Sequence, residues 1–530
     1  MSHTDYRVDV LIVGSGPVGA SFARTLVGAG IDVLMVEAGA QLARRPGSNL
    51  KNIYIYQRDN NLFSSVIRGN LYTLSVPDSA HAELAVDPAG AHGLPTNWGC
   101  ARHNENPDQD PYRNIPAASA SYAVGGMATH WTCATPRHHP VLERYGGIGS
   151  DEWDRCYTEA EALLTVSNRE FEHSVRQRLI IDALRDEFSE LPEQYAVQSL
   201  PLAVKRRGGE GGMVTWAGAD TVLGDIAEGN AHFSLLPQHL CTRLVPDSAG
   251  TRIDHAEVRD LEGARELSVA ADHFVVCAGA VLTPQLLWAS GIRPDPLGRY
   301  LTEHPMAFCQ VVLLDRLLDR LGTDPRFAPD VQRHRDLFPD DHVPVPVGDP
   351  EPSVWLPLSE GRLWHGQITR DALQFGVEVP HVDDRLIADL RWFGLVDPRP
   401  ENRVTFSDRH TDIHGMPQPT FDFSFSDDDA ARQHAMMEDM LRAATALGGF
   451  LPQAEPRFTT LGLPNHIAGT VRMGKDPRIS VVNNDSRVWG FDNLYLGGNG
   501  VIPTATASNP TLTSVAMALK AAHHLTGRLK

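Results

Sequence analysis

The first 37 residues carry the pattern that most narrows the folds open to this chain: strand, glycine turn, helix, strand. The hydrophobic run 8–13 leads into glycines spaced as Gly-x-Gly-x-x-Gly, and an acid ends the second strand; these residues are Gly14, Gly16, Gly19 and Glu37. The first glycine allows a tight turn, the second lets backbone reach a pyrophosphate, and the third lets helix pack on strand. The acid can accept hydrogen bonds from ribose hydroxyls. This predicts an α/β dinucleotide-binding domain.

The C-terminal region indicates which dinucleotide is bound, because NAD and FAD share the N-terminal pattern. The stretch 493–500 is typical of a short buried strand that runs into a glycine turn holding Gly498 and Asn499. A helix is then predicted to begin at Pro510–Thr511, with Asn509 as its cap. The positive end of that helix would complement the negative N1/C2 carbonyl edge of a reduced flavin. A plain capped helix that closes the domain is the alternative interpretation.

Charge and composition limit the classes of partner. With 530 residues, of which 42% are hydrophobic, the chain is long enough for two or three globular domains. Its formal net charge of −19 would repel nucleic acid and anionic membranes, so we expect neither as a partner. An acidic surface kept for solubility is the simpler explanation of that charge. The N-terminus has no basic stretch before a long apolar run, and the six cysteines form no Cys-x-x-Cys pair. Both features predict residence in the cytoplasm, with neither a zinc site nor a disulfide framework.

The segment 125–133 contains a histidine that is a candidate for contact with the flavin. Two glycines let the backbone approach a cofactor closely, and they precede Thr129, His130 and Thr132. The imidazole of His130 is a potential nucleophile on a restrained segment. Taken alone, a histidine in such a run is more often a packed or surface residue.

The region 301–450 differs in character from the nucleotide segments, since it is rich in aspartate, proline and aromatic residues. The stretch 323–352 is predicted to be a loop or lid, although a plain surface excursion is an equal alternative. Residues 386–393 alternate as a strand that could cover the flavin from the substrate side. The pattern by itself favours a half-buried strand, with Asp389 and Arg391 on a solvated face.

The run 465–474 carries the candidate for the chemical step. It places His466 shortly before a glycine turn. Oxidation of an alcohol at a flavin requires the hydroxyl proton to leave, and a neutral imidazole is the natural base near pH 7. The amide of Asn509 can hold the same hydroxyl without competing for the proton. Most of the 23 histidines must serve as surface or core residues, so the neighbouring sequence is what distinguishes this one.

The run His466-x-x-Gly-Thr-x-Arg-Met-Gly, together with Asn509-Pro510-Thr511, resembles the catalytic pair of the glucose-methanol-choline oxidoreductases. The segment Thr129-His130-Trp131-Thr132 is similar to the flavin attachment segment of the pyranose oxidases, and the resemblance extends to 364–372 and 415–421. It implies FAD and oxidation of a secondary ring hydroxyl, at C2 or C3 of a pyranose or glycoside, to a ketone. It also implies that oxygen, giving hydrogen peroxide, or a quinone accepts the electrons.

The resemblance also implies roles for individual residues. His466 matches the base and Asn509 its partner. His130 matches the residue that bonds covalently to the 8α carbon of FAD, and Thr132 matches a neighbour of flavin N5. Asp371 and Arg391 match, less closely, the substrate loop and its supporting strand.

Departures from the family pattern concern the substrate. Where fungal enzymes that oxidise glucose at C2 carry Phe-Ser-Tyr, this chain has Leu373, Gln374 and Phe375. A hydroxyl and a phenol that could bind sugar are therefore replaced, and a more apolar loop would suit an aromatic aglycone. The choice between C2 and C3, and between free sugar and glycoside, stays open, as does oligomeric state.

The predicted fold is α/β: a Rossmann-like FAD-binding domain with a substrate domain built on a mainly antiparallel sheet. We expect residues 1–160 to form the first FAD-binding part and 161–299 the second, with interleaved substrate-domain segments. Residues 300–450 would form the substrate domain, and 451–530 the third FAD-binding part, with the catalytic pair. Three hypotheses follow: an oxidase that uses oxygen, a quinone-dependent dehydrogenase of the same fold, and a non-catalytic nucleotide-binding protein.

Overall fold

A computed structural model of the chain describes residues 4–53, 55, 71–75, 106–207, 214–369 and 382–530. Its α-helices are α1 (Pro17–Gly28), α2 (Ser150–Leu164), α3 (Val175–Glu187), α4 (Ala219–Leu223), α5 (Gly279–Ala289), α6 (Asp315–Leu318), α7 (Ala328–Leu337), α8 (Asp427–Leu447) and α9 (Thr511–Leu529). Its strands are β1 (Tyr6–Val13), β2 (Val33–Glu37), β3 (Leu71–Thr73), β4 (Ser119–Ser121), β5 (Val166–Ser167), β6 (Gln198–Ser199), β7 (Leu202–Arg206), β8 (Val214–Trp216), β9 (Phe233–Pro237), β10 (His239–Pro246), β11 (Ile253–Asp260), β12 (Arg265–Val276), β13 (Met306–Leu313), β14 (Ser353–Leu356), β15 (Trp364–Thr369), β16 (Ile387–Gly394), β17 (Arg403–Thr411), β18 (Pro417–Asp422), β19 (Gly448–Phe450), β20 (Arg457–Phe458) and β21 (Leu494–Leu496).

The first of two large sheets carries the predicted dinucleotide-binding pattern. Its strands run in the order β10-β11-β12-β1-β2-β9, and β21 also pairs with β12. The pairs β12–β1, β1–β2 and β2–β9 are parallel. Every residue of β2 is buried, as expected for a hydrophobic strand that is covered on both faces. The strand–turn–helix–strand prediction at the N-terminus is confirmed.

The C-terminus completes this sheet from the far end of the sequence. β21 pairs in parallel with the last residues of β12, so residues 494–496 lie one strand away from β1. Helix α9 packs against α1 and α2 with one long apolar face, and Leu512, Val515 and Leu519 are fully buried. Burial of that face supplies the driving force that joins the two chain ends.

The second large sheet is antiparallel throughout and confirms the predicted kind of substrate domain. Its order is β19-β13-β16-β15-β14-β6, with β20 also paired to β13. Helix α8 covers it with a buried row that includes Met436, Met440 and Leu447. The helix starts at a capping box in which the Ser426 hydroxyl oxygen accepts from the backbone N–H of Asp429 at 3.1 Å.

Strand β16 agrees with the predicted strand at 386–393, but the solvated polar face favoured by its sequence pattern is wrong. All eight of its residues are buried, because β13 and β15 flank it and α8 packs against it. Asp389 accepts a hydrogen bond from Gln310 Nε2 at 2.9 Å and lies 3.8 Å from Arg391. The polar side chains of the strand are therefore buried instead of lying on a solvated outer face.

The stretch 323–352 is not irregular throughout, because α7 lies within it. The proline that suggested a loop stands in the first turn of this helix, where a missing N–H costs nothing. Val331 and His334 bury the inner face, and the following segment is tied down by Asp341, which accepts from Arg385 at 2.7 Å. The prediction of a loop or lid is thus wrong for residues 328–337.

Two kinds of feature are absent from the described residues. None of the helices there is long and apolar enough to cross a membrane. Within the same ranges, no group of three or more His, Cys, Asp or Glu side chains is arranged to hold a metal ion.

Candidate active site

A cavity of about 440 Å³ lies between the first sheet and the inner strands of the second. Most of the predicted site residues line it: Gly14, Gly16, Glu37, His130, Thr132, Arg391, His466, Gly498, Asn499, Asn509 and Thr511. Gly19 and Thr129 are not among the residues that line it. Asp371, Gln374 and Phe375, predicted to contact substrate, lie outside the described residues. The fold therefore brings together segments that are up to about 500 residues apart in sequence.

The glycine turn after β1 is held closed by Glu37 at the end of β2. One carboxylate oxygen of Glu37 accepts from the Ser15 backbone N–H at 3.0 Å and from the Ser15 hydroxyl at 2.7 Å. The other accepts from the Gly39 N–H at 2.8 Å. Burial raises the pKa of Glu37, and these hydrogen bonds oppose that rise. The acid thus positions the turn as well as lining the cavity where a ribose would lie.

The third glycine of the fingerprint acts by close packing. A Cβ placed on Gly19 would lie 2.0 Å from the carbonyl oxygen of Gly14, so only glycine lets α1 approach the turn. Gly14 itself has φ of +99°, in the region that favours glycine. The predicted roles of the first glycine in the turn and of the third in packing agree with this geometry.

Three glycines leave bare backbone toward the cavity, as a dinucleotide needs. A Cβ at Gly279 or Gly498 would meet no protein atom within 4 Å, and one at Gly16 would meet only a carbonyl oxygen at 3.9 Å. The first turn of α9 adds Thr511 and Ser514 to the wall, so the positive end of that helix also faces the cavity. The residues present therefore fit FAD.

His130 stands at the end of a short 3₁₀ helix, Gly126–Thr129, in the cavity wall. Its Nε2 lies 3.2 Å from the Ser121 hydroxyl, and burial lowers the pKa of His130 to about 4. The imidazole is therefore neutral at pH 7, with a lone pair on one nitrogen. The hydroxyl of Thr129 donates to the carbonyl oxygen of Gly126 at 2.8 Å, which holds the turn.

His466 and Asn509, predicted as the catalytic pair, meet in the cavity although 43 residues separate them. Asn509 Nδ2 lies 3.4 Å from His466 Nε2. Burial first, and His365 second, lower the pKa of His466 to about 3, so the imidazole is neutral at pH 7. A neutral imidazole can accept a proton from a hydroxyl placed beside it.

Asn509 is not the cap that the sequence predicted for α9. The helix begins at Thr511, its N-cap position is Pro510, and no side chain caps it. The amide of Asn509 is instead engaged by Gln367, whose Nε2 donates to Asn509 Oδ1 at 2.6 Å. Asparagine is typical of helix starts, but here the side chain of Asn509 makes a tertiary hydrogen bond instead of capping the helix.

Gln367, Glu303 and His304 belong to the site but were not singled out from the sequence. Gln367 lines the cavity from β15 and pairs in register with Arg391. Glu303 is fully buried and accepts from the His466 backbone N–H at 3.2 Å; burial raises its pKa to about 8. Gln367 stood in the 364–372 run that resembles the family, so a signal existed for it. Nothing local marked the other two.

Glu143 is a further buried residue that the sequence did not reveal. Its side chain accepts from the backbone N–H groups of Ala507 and Ser508, both at 2.8 Å, and from the Ser508 hydroxyl at 2.9 Å. It lies 0% exposed beneath the turn that ends at Asn509. The carboxylate therefore fixes the segment that presents the amide.

Comparison with protein families matches models described as GMC oxidoreductase over residues 141–306 and 398–518, and a model described as FAD binding domain over residues 7–58. Among similar proteins is a pyranose 2-oxidase of Emericella nidulans, 39% identical over 98% of this chain and 92% of the relative. A C-glycoside 3-oxidase of Microbacterium trichothecenolyticum is 35% identical over 98% of this chain and 96% of its own length. The crystal structure of pyridoxine 4-oxidase from Mesorbium loti superposes with a TM-score of 0.65 at 18% identity, covering 98% and 99% of the two chains, and shows the same fold.

Proposed function

The chain belongs to the GMC oxidoreductase family, with FAD as its cofactor, and from this premise we propose that it oxidises a secondary ring hydroxyl of a pyranose sugar or glycoside to a ketone. The observation that carries the proposal is the neutral His466–Asn509 pair in the wall of a cavity that also holds the glycine turn. The two relatives named above, a pyranose 2-oxidase and a C-glycoside 3-oxidase, support this class of substrate.

In the proposed reaction His466 Nε2 accepts the hydroxyl proton of the substrate. Asn509, which donates from Nδ2 toward the same nitrogen, is placed to hold the substrate oxygen as the proton leaves. When bound, FAD supplies the acceptor for the hydride from the substrate carbon. Asn509 is buried and His466 is half-buried, so water has limited access to the pair, which strengthens its interactions with developing charge.

The test of the base is His466→Ala. General base catalysis contributes roughly 10²–10⁴-fold, so we expect kcat/KM for sugar to fall by about that factor while the protein stays yellow. The yellow colour controls for loss of FAD. A variant that turns over at the wild-type rate would remove His466 from the mechanism.

We also propose that His130 is covalently joined to the 8α carbon of FAD. Its place in the cavity wall and its neutral imidazole support the bond. Acid precipitation should leave the flavin with the protein pellet. Release of all the flavin into the supernatant would contradict the proposal.

The position of oxidation separates two candidate activities. The pyranose 2-oxidase relative favours C2 of a free sugar, whereas Leu373, Gln374 and Phe375 in place of Phe-Ser-Tyr favour a glycoside with an aromatic aglycone and oxidation at C3. A peroxide assay with glucose and an aromatic C-glycoside side by side, followed by NMR of the product, distinguishes them. A 2-keto sugar from glucose would support the first, and a 3-keto glycoside the second.

Oxygen is the acceptor we propose, since both relatives are named oxidases. Steady-state rates with oxygen and with benzoquinone under nitrogen would test it, and turnover only with the quinone would make the protein a dehydrogenase.

All five described cysteines are free and buried, which supports the predicted cytoplasmic residence.

A further inference from the structure

His304 contacts the proposed base on the opposite side of the ring from Asn509. Its Nδ1 lies 3.1 Å from His466 Nδ1, and the two rings meet edge to face at a centroid distance of 4.9 Å. Its Nε2 lies 3.2 Å from the hydroxyl of Thr506. His304 is 1% exposed and is not among the residues that line the cavity. Any effect of His304 on the substrate must therefore pass through His466.

The hydrogen bonds around the two rings fix which nitrogen of each carries the hydrogen. Asn509 Nδ2 has only hydrogens to offer, so His466 Nε2 accepts from it. A neutral imidazole with a lone pair on Nε2 carries its hydrogen on Nδ1. His466 Nδ1 then donates to His304 Nδ1, and His304 Nε2 in turn donates to the Thr506 hydroxyl oxygen.

The surroundings keep His304 able to accept. Burial first, and neighbouring histidines after it, hold the pKa of His304 well below its usual range, so the ring is neutral at pH 7. The other titratable groups near His466 are His365, across the Phe393 ring, and Glu303, bonded to the backbone of His466. Neither of these two side chains makes a hydrogen bond to the His466 ring among the described contacts. His304 is therefore the hydrogen-bond partner of His466 Nδ1 there.

We propose that His304 is a positioning residue that fixes the catalytic tautomer of His466 by accepting its Nδ1 hydrogen. This inference rests on the proposed role of His466 as the base. When the substrate O–H bond breaks, the proton forms a bond with His466 Nε2, and the Nδ1 hydrogen stays in place. The hydrogen bond to His304 is then donated by a charged ring, and such bonds are stronger than those between neutral groups. His304 thus favours the protonated base over the resting one.

Two substitutions separate this role from simple packing. His304→Asn keeps an acceptor oxygen at the position of Nδ1, whereas His304→Leu keeps similar bulk but removes the acceptor. In the FAD-loaded enzyme, the rate constant of flavin reduction by sugar under nitrogen should fall roughly 10- to 100-fold in the leucine variant. The sugar Kd should be unchanged, and the asparagine variant should recover most of the rate.

A second readout does not depend on turnover. In holoenzyme labelled with ¹⁵N-histidine, NMR should show His466 with hydrogen on Nδ1 in the wild type and in His304→Asn, with the signal assigned by its loss in His466→Ala. In His304→Leu the two tautomers should mix. The same tautomer in all three proteins would overturn the inference, and so would an asparagine variant as slow as the leucine variant.

The two proposals fail in different ways. If His466→Ala keeps full activity, the assignment of the base is wrong. If that variant is inactive but a folded, yellow His304→Leu reduces its flavin at the wild-type rate, only the positioning role of His304 is wrong.

Discussion

At the scale of single residues, the protonation of Glu303 makes the free energy of unfolding depend on pH. Its pKa is raised by burial to about 8, from an ordinary value of 4.5. Between these two values the unfolded chain releases the proton and the folded chain keeps it. Stability from this group is therefore fully present below about pH 4.5 and is lost as pH rises through about 8.

Glu303→Gln should remove that loss. We expect the free energy of unfolding of the variant, measured relative to that of the wild type, to increase with pH. The increase should be on the order of 1 kcal/mol per pH unit between pH 5 and pH 8. Urea unfolding at several pH values measures it. The exposed Glu172→Gln serves as the control that leaves the pH dependence as it is. Parallel curves for Glu303→Gln and wild type would show that Glu303 is already ionised in the folded protein.

Single residues also show how far the sequence could predict the site. Gly14, Gly19 and Glu37 were predictable because their roles follow from a local strand–turn–helix pattern. His466 and Asn509 needed the family resemblance, since no local rule pairs residues 43 positions apart. His304 and Glu143 were not predictable, because each acts through a contact spanning more than 160 and 360 residues respectively. In the sequence, a buried neutral histidine or a buried acid cannot be distinguished from a surface one until the fold is known.

At the scale of elements, the contact between α1 and the glycine turn should be intolerant of a single methyl group. Gly19→Ala would place a carbon 2.0 Å from the Gly14 carbonyl oxygen, so the helix must shift and the turn must open. Strain from an added core methyl group costs about 1–3 kcal/mol, so we expect the purified variant to have taken up much less FAD than the wild type. The ratio of flavin absorbance to protein absorbance measures this content.

Helix α1 supplies its own control. Gly28 ends the same helix, and a Cβ there would meet no atom within 4 Å. Gly28→Ala should therefore keep full FAD content and gain at most about 1 kcal/mol from helix propensity. Equal FAD content in both variants would mean that the turn adapts to the methyl group.

The turn at 504–509 depends on hydrogen bonds to the Glu143 carboxylate. Glu143→Ala leaves three buried backbone N–H groups, of His139, Ala507 and Ser508, and the Ser508 hydroxyl without their acceptor, at a cost of roughly 1–3 kcal/mol for each group that stays unpaired. We expect lower stability in urea unfolding together with a lower kcat, because Asn509 loses its support. Glu143→Gln keeps one acceptor oxygen and should fall between alanine and wild type. A fully active alanine variant would show that Gln367 alone is enough to position Asn509.

At the scale of the whole molecule, FAD and the protein should be thermodynamically coupled through His130. If the cofactor is covalently attached, the Tm of the wild type does not depend on added FAD. His130→Ala should bind FAD reversibly, so its stability should rise with free FAD by about 2.7 kcal/mol at one hundred times Kd. Thermal unfolding across an FAD titration measures both. A wild-type Tm that rises with added FAD would contradict permanent attachment.

The pairing of β21 with β12 sets a condition on when the protein can fold during its synthesis. β1 and α1 leave the ribosome first, yet α9, which packs on α1, and β21, which pairs with β12, are made almost 500 residues after them. Until then the apolar faces of α1 and β12 lack their partners, and incomplete chains of this kind are prone to aggregate. Nascent chains stopped before residue 494 should therefore stay sensitive to protease. Production of this protein should also respond more to chaperone supply than its size alone suggests.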